Sequence, residues 1–293
     1  MIVRAFLRVF PDAHLFKSQT VANAASGDFL LVGGRGTGPS AGCLARAMRT
    51  RQEVATDLAT VGLVDALDVL EGFLLGPVEL AAFAGEGPIN TDDNARLEFS
   101  SPKSFYDSGA PILDALLAHR KGWPESWSDG TGIEATAGRS RYRAMTAVLA
   151  AIVQWHRAQV AWSERSWRES FEGYAHAIER AEEALSADST RRPLLEFWVR
   201  LLGERAERHR ARGRVDDARR DYERILEIAP DRPEALLKLG EIYASKQLTR
   251  RAEDTFLRVT RLEGVDSAFL ADAHSNLAVL FRTTGREEEA QSE

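Results

Sequence analysis

The stretch Arg232–Leu262, RPEALLKLGEIYASKQLTRRAEDTFLRVTRL, decides how the C-terminal half is built. It runs Leu239-Gly240, then Tyr243 three residues on, then Ala252, then Phe256 four residues later. One constant shift of the chain lays Leu202 on Leu236, Ala206 on Gly240, His209 on Tyr243, Ala218 on Ala252, Tyr222 on Phe256 and Pro230 on Gly264. A shift slightly longer lays Leu239 on Leu277, Gly240 on Ala278, Tyr243 on Phe281 and Ala252 on Ala290. The extra residues of the second shift fit a loop around Gly264–Ser267, where a repeat array accepts insertions. Small residues in phase mark places where two antiparallel helices cross closely. Large apolar ones fill the space between units, and Gly213 and Gly285 supply turns.

Period and pattern together resemble the tetratricopeptide repeat. Arg205 stands where that family usually has leucine, and Gln247 where it usually has glycine. The pattern predicts an all-α repeat domain over 141–293: a divergent, off-register helix pair at 141–190, repeats at about 199–232 and 233–266, and an incomplete one at 271–293. The last unit ends inside its second helix, so a truncated or frayed C-terminus is expected. The resemblance implies a groove lined by the first helix of each unit. The residues at those positions are Arg200, Glu207, Arg210, Glu234, Leu237, Glu241, Asp272, Val279 and Arg282. They mix both signs of charge, which fits a protein or peptide partner better than a ligand of one charge.

Composition narrows the alternatives. The 293 residues are 44% hydrophobic and 28% charged, an ordinary globular mixture about twice the length of one domain. A net charge of −6 supplies no attraction to phosphate backbones, so no nucleic-acid partner is expected. The single cysteine, Cys43, excludes an intramolecular disulfide framework and a cysteine-rich zinc site. The longest strongly apolar stretch, Ala144–Trp155, is far shorter than the roughly 20 residues of a membrane span. Ala22-Asn23-Ala24 imitates a signal-peptidase site, but Arg8, Pro11, Asp12 and His14 interrupt the apolar core that a signal needs. A soluble, cytoplasmic chain without a membrane span is the expectation.

The segment His119–Ser140 has four glycines, one proline and no apolar period, so a linker is expected over 119–140. Before it, Asp12–Phe16 and Asp28–Val32 have the character of two short strands. Gly33-Gly34-Arg35-Gly36-Thr37-Gly38 then precedes a helical run, Ala41–Thr60. That order imitates a nucleotide-binding loop. Yet Arg51–Leu70 is helical in pattern, no strand ending in an acidic residue follows, and the loop has no lysine, so a plain turn is the better reading. The cluster Asn90-Thr91-Asp92-Asp93 could be an acid–base pair or a cation site, but such residues more often cap turns through side-chain to backbone bonds.

Phe6–Phe16 (FLRVFPDAHLF), DFLLVGG, a helical insert with Phe73-Leu74-Leu75-Gly76, and Pro88–Pro102 (PINTDDNARLEFSSP), in that order, resemble the end of a spermidine synthase-like domain, in the form where a membrane part precedes it and helical repeats follow. The resemblance covers about residues 1–106. It implies an α/β fragment, the tail of a Rossmann-like methyltransferase fold with an antiparallel closing hairpin, as a domain over 1–118. The family's donor-binding glycine loop, ribose-binding acid and catalytic aspartate lie upstream of the matched segment. No catalytic, cofactor-binding or metal-binding residue carries over, and a C-terminal piece of a longer protein is expected. His156, His176, His209 and His274 lack the convergent ligands a metal needs. The leading expectation is a non-catalytic interaction module without a cofactor. The alternative is part of an aminopropyl- or methyl-transferase completed by a missing N-terminal segment or another chain.

Overall fold

The computed structural model describes residues 2–17, 29–34, 41–60, 63–87, 89, 110–124, 132–187 and 192–286. The Asn90–Asp93 motif, Arg35–Gly38 and residues 287–293 lie outside them. The chain forms two compact units, Met1–Trp198 and Val199–Glu293.

The first unit begins with α1 (Ile2–Val9), β1 (His14–Lys17), β2 (Phe29–Val32), α2 (Ala41–Thr50), α3 (Gln52–Thr60), α4 (Ala66–Glu71), β3 (Phe73–Leu75) and α5 (Pro77–Ala84). The strands form an antiparallel sheet in the order β2-β1-β3, with Leu15 opposite both Leu31 and Leu75. Both expected strands are present, to within two residues at each end. Phe73–Leu75, expected inside a helical insert, is instead a third strand. All three are buried, and backbone pairing of Phe73 and Leu75 with the distant central strand β1 decides the element. The long helical runs expected over 41–70 are also broken, at Arg51 and before α4. Asp65 caps α4 by accepting from the Asp68 backbone N–H at 2.7 Å, and Asp68 returns the contact to the Asp65 N–H at 2.9 Å.

Gly33 lies against Phe10: a Cβ there would stand 2.5 Å from the phenylalanine side chain. Close packing therefore explains the first glycine of the glycine-rich stretch. Arg4 ties α1 to the end of α5 by donating to the carbonyls of Ala84 (2.7 Å) and Glu86 (3.1 Å). Phe16, Leu70, Phe73, Trp123 and Tyr142 form one buried cluster, in which Phe73 meets Phe16 edge-on at 5.8 Å.

The unit continues with α6 (Ala110–His119), α7 (Gly132–Ser163) and α8 (Trp167–Ala187), and its last residues begin α9 (Arg192–Ala211). The expected linker over 119–140 is helical from Gly132 onward. Composition misled here in part because one of the four glycines, Gly138, serves packing. A Cβ on Gly138 would meet the Trp123 indole at 2.6 Å, so the residue lets a large ring lie against a helix.

The second unit holds the rest of α9, then α10 (Val215–Ile228), α11 (Pro233–Ser245), α12 (Thr249–Thr260) and α13 (Ser267–Thr283). The first helix of the third repeat starts at Ser267, ahead of the expected 271. Proline at the first position of α11 and the Asp266 side chain accepting from the Ala268 N–H at 2.9 Å mark two helix starts.

The hairpin turns repeat one geometry. Gly213, Gln247 and Gly285 all have positive φ, at 71°, 59° and 77°. The N–H one residue later bonds back five residues: Arg214 to His209 (2.8 Å), Leu248 to Tyr243 (2.9 Å) and Arg286 to Phe281 (2.8 Å). This is the left-handed helix ending that glycine favours. The intervals from Gly213 to Gln247 and from Gln247 to Gly285 equal the two sequence shifts in turn.

The turn between α7 and α8 has the same form. Arg165 has φ 62°, and Ser166 N–H bonds to the Ala161 carbonyl at 2.8 Å. Counting from that turn, Ala158, Ser170 and Tyr174 take the places of Ala206, Ala218 and Tyr222. All six are buried. Ser170 Oγ satisfies its buried hydroxyl by donating to the Ala158 carbonyl at 2.8 Å. The pair expected to be off-register is therefore a repeat-like hairpin. Its turn at Arg165 simply stands farther from Gly213 than Gly213 does from Gln247.

Gln247 gives a direct test of the turn geometry. A side chain in the left-handed region is strained, so Gln247→Gly is expected to stabilise the chain by about 0.5–1 kcal/mol after the greater freedom of unfolded glycine is deducted. Urea denaturation checks it; a lower midpoint for the variant would contradict the turn.

Candidate functional site

The expected groove residues sit on the first helices α9, α11 and α13, and α11 packs against α13. Glu207, Arg210 and Glu241 are brought together. Arg210 Nη1 donates to Glu207 Oε1 at 3.2 Å, and its Nη2 lies 3.1 Å from Glu241 Oε2, joining α9 to α11. Lys238 Nζ donates to Glu241 at 2.9 Å, and the Tyr222 hydroxyl donates to Glu207. Burial pulls the Arg210 pKa down, but the facing charges of Glu207 and Glu241 outweigh it and hold the group above its ordinary value. Burial, reinforced by the bond to Glu207, pushes the Tyr222 hydroxyl far above its usual range, so it acts as a fixed donor.

Arg200, Glu234, Asp272, Val279 and Arg282 are exposed on the same helices, and Glu234 lies 3.4 Å from Arg232. Leu237, expected to line the groove, is buried at 5% exposure. An apolar side chain one step round from Leu236 is drawn into the core, which leaves the polar residues of α11 to face outward. Tyr222 and Lys238 were not among the expected groove residues. Lys238 had a signal in its position three residues before Glu241, an ordinary helical ion-pair spacing. A depression of about 750 Å³ beside Glu234 is bordered by Asp231, Arg232, Arg261, Glu263 and Asp266.

Behind this surface lies a second polar group. Arg205 forms a two-pronged pair with Asp221 (Nε 2.9 Å, Nη2 2.6 Å), and both side chains are largely buried. The His209 ring stands 3.9 Å from Asp221 and 4.0 Å from Asp217.

Helical hairpins with small residues at their crossing and a shared left-handed turn recur through this region. Residues 209–271 match the tetratricopeptide repeat family model. The matched segment spans α10, α11 and α12 and the turns on either side. Among solved structures, the chain is similar to the crystal structure of MamA, at 13% identity and a TM-score of 0.37, covering 70% of this chain and 91% of that one. No curated protein matches the chain. Among the described residues, no helix is long and apolar enough to cross a membrane, and no group of three His, Cys, Asp or Glu is placed to hold a metal ion.

His209 titrates against this network. Its pKa is lowered, chiefly by burial, although Asp221 and Asp217 oppose the shift. A histidine with a folded pKa below its unfolded value adds stability that is complete above the unfolded value near 6.5 and is lost as pH falls below it. His209→Gln is therefore expected to flatten the fall in urea midpoint between about pH 8 and about pH 5.5 relative to the unaltered protein. An unchanged slope would contradict the burial.

Proposed function

We propose that this chain is a non-catalytic protein-interaction module that binds a peptide or partner helix along the first helices of its tetratricopeptide repeats. The observation that carries this reading is the match over residues 209–271, which coincides with the hairpins that repeat one turn geometry. The proposed contact residues are Arg200, Glu234, Asp272, Val279 and Arg282, around the charge-balanced set Glu207, Arg210 and Glu241. Mixed charge favours a partner of alternating sign. Cytoplasmic location belongs to the same reading and rests on cysteine usage, a single Cys43.

For residues 1–118 the proposal is the C-terminal portion of a spermidine synthase-like domain. It rests on the sequence motifs, and the antiparallel β1–β2 pair is compatible with the closing hairpin. Peptide display against the full chain tests the interaction reading. Selected peptides should lose roughly tenfold or more in affinity on Arg282→Glu or Asp272→Lys, and little on Glu227→Lys, which lies on a second helix. Peptides insensitive to the first-helix changes would overturn it. Titration calorimetry with S-adenosylmethionine tests the non-catalytic part, which micromolar binding would overturn.

A further inference from the structure

The first unit contains a partly buried cation that has no matching anion among the described residues. Arg120 follows α6, and its guanidinium stacks 3.9 Å over the Tyr142 ring. Its Nε donates to Thr146 Oγ1 at 3.1 Å, and Nη1 is shared between the carbonyls of Phe73 (2.8 Å) and Leu74 (3.4 Å). Nη2 has one acceptor, the Tyr142 carbonyl at 3.3 Å, for its two protons. Burial lowers the Arg120 pKa to about 10, so the group is charged at neutral pH. Among the described residues no carboxylate pairs with it, and an uncompensated buried charge is costly.

Arg120 borders a cavity of about 690 Å³ formed by α6, the residues after it, α7 and α8. Lys121, Arg139, Arg143 and Arg180 also line it, with Asp114 and Glu183 as the only carboxylates among the described lining residues. Both carboxylates are engaged: Asp114 with Arg157, outside the lining, and Glu183 with Arg180 at 2.7 Å. Among the described residues, Arg120, Lys121, Arg139 and Arg143 have no carboxylate partner, in a chain whose net charge is −6. The rest of the wall mixes apolar and aromatic side chains, Trp123, Tyr142 and Val153 among them, with the polar Thr146 and Gln154. Cationic groups converging on one cavity beside aromatic side chains suit an organic anion, and guanidinium groups in particular suit carboxylate and phosphate oxygens.

We propose that this cavity binds a small organic anion, a phosphate monoester or polycarboxylate, which supplies the counter-charge for Arg120. The site is independent of the repeat surface. Titration calorimetry on the full chain at low salt uses adenosine monophosphate, citrate and inorganic phosphate as probes. At least one organic probe is expected to bind more tightly than inorganic phosphate. That binding should weaken roughly a hundredfold in Lys121→Glu/Arg143→Glu, whose altered residues are exposed, with thermal stability preserved. Arg168→Glu, an exposed change elsewhere, should leave affinity unaltered. Preference for adenosine monophosphate identifies a phosphate monoester, and preference for citrate a polycarboxylate. Absence of binding by all three probes at millimolar concentration, binding no tighter than phosphate, or affinity undiminished in the double variant would each overturn the proposal.

Discussion

Gly240→Ala is expected to destabilise the second unit by about 2 kcal/mol, although alanine is the better helix former by roughly 1 kcal/mol. Two effects of opposite sign compete, and their sizes decide the outcome. The added Cβ would stand 2.4 Å from Phe256 Cε1 and 2.8 Å from two further ring atoms. Phe256 is only 1% exposed, so the ring cannot swing into solvent. Overpacking at such a site costs about 3 kcal/mol, at the upper end of its usual range, and outweighs the helical gain. Urea denaturation gives the sign directly. A smaller ring-position side chain, Phe256→Leu, should recover part of the loss when combined with Gly240→Ala. A raised midpoint for Gly240→Ala alone would show that the helices do not approach as described.

Arg205→Leu places the residue usual in tetratricopeptide repeats at this position, yet a loss of about 3–5 kcal/mol is expected because Asp221 is left buried and unpaired. Arg205→Leu/Asp221→Leu should recover most of it, since replacing both partners of a buried pair with apolar groups is close to neutral. His209, 3.9 Å from Asp221, can charge and take over part of the pairing once Arg205 is gone. The deficit of Arg205→Leu should therefore be smaller near pH 6 than near pH 8. A double variant as unstable as the single one would mean that Arg205 acts through its aliphatic stem and not through its charge.

The departures from the repeat pattern and their structural causes belong together. Arg205 was legible as an anomaly, but its partner was not, because Asp221 lies sixteen residues away on another helix. Gln247 was legible as a missing glycine, and the backbone adopts the glycine-like conformation there regardless, since packing of the two helices fixes the turn. The hairpin at 132–187 escaped a search at one period because its turn lies outside that period, and serine replaces alanine at its crossing. Leu237 was misplaced for a different reason. Periodicity assigns a residue to a helix face only to within one position, and neighbouring helices decide the edges of the buried stripe.

The anion cavity had no sequence signal at all. Arg120, Lys121 and Arg139 fall in a segment expected to be a linker, and Arg143 lies just after it. Only the packing of α6, α7 and α8 gathers them.

From its sequence alone this protein determined where its helices cross, because small and large residues recurring at one period leave few ways to stack helical hairpins. It also determined the two strands β1 and β2. Tertiary structure alone decided that Phe73–Leu75 extends the sheet, that Glu207, Arg210 and Glu241 form one linked set, and that Arg120 is enclosed beside a cavity. Those outcomes depend on contacts between residues far apart in the chain, and distance in space leaves no period to read.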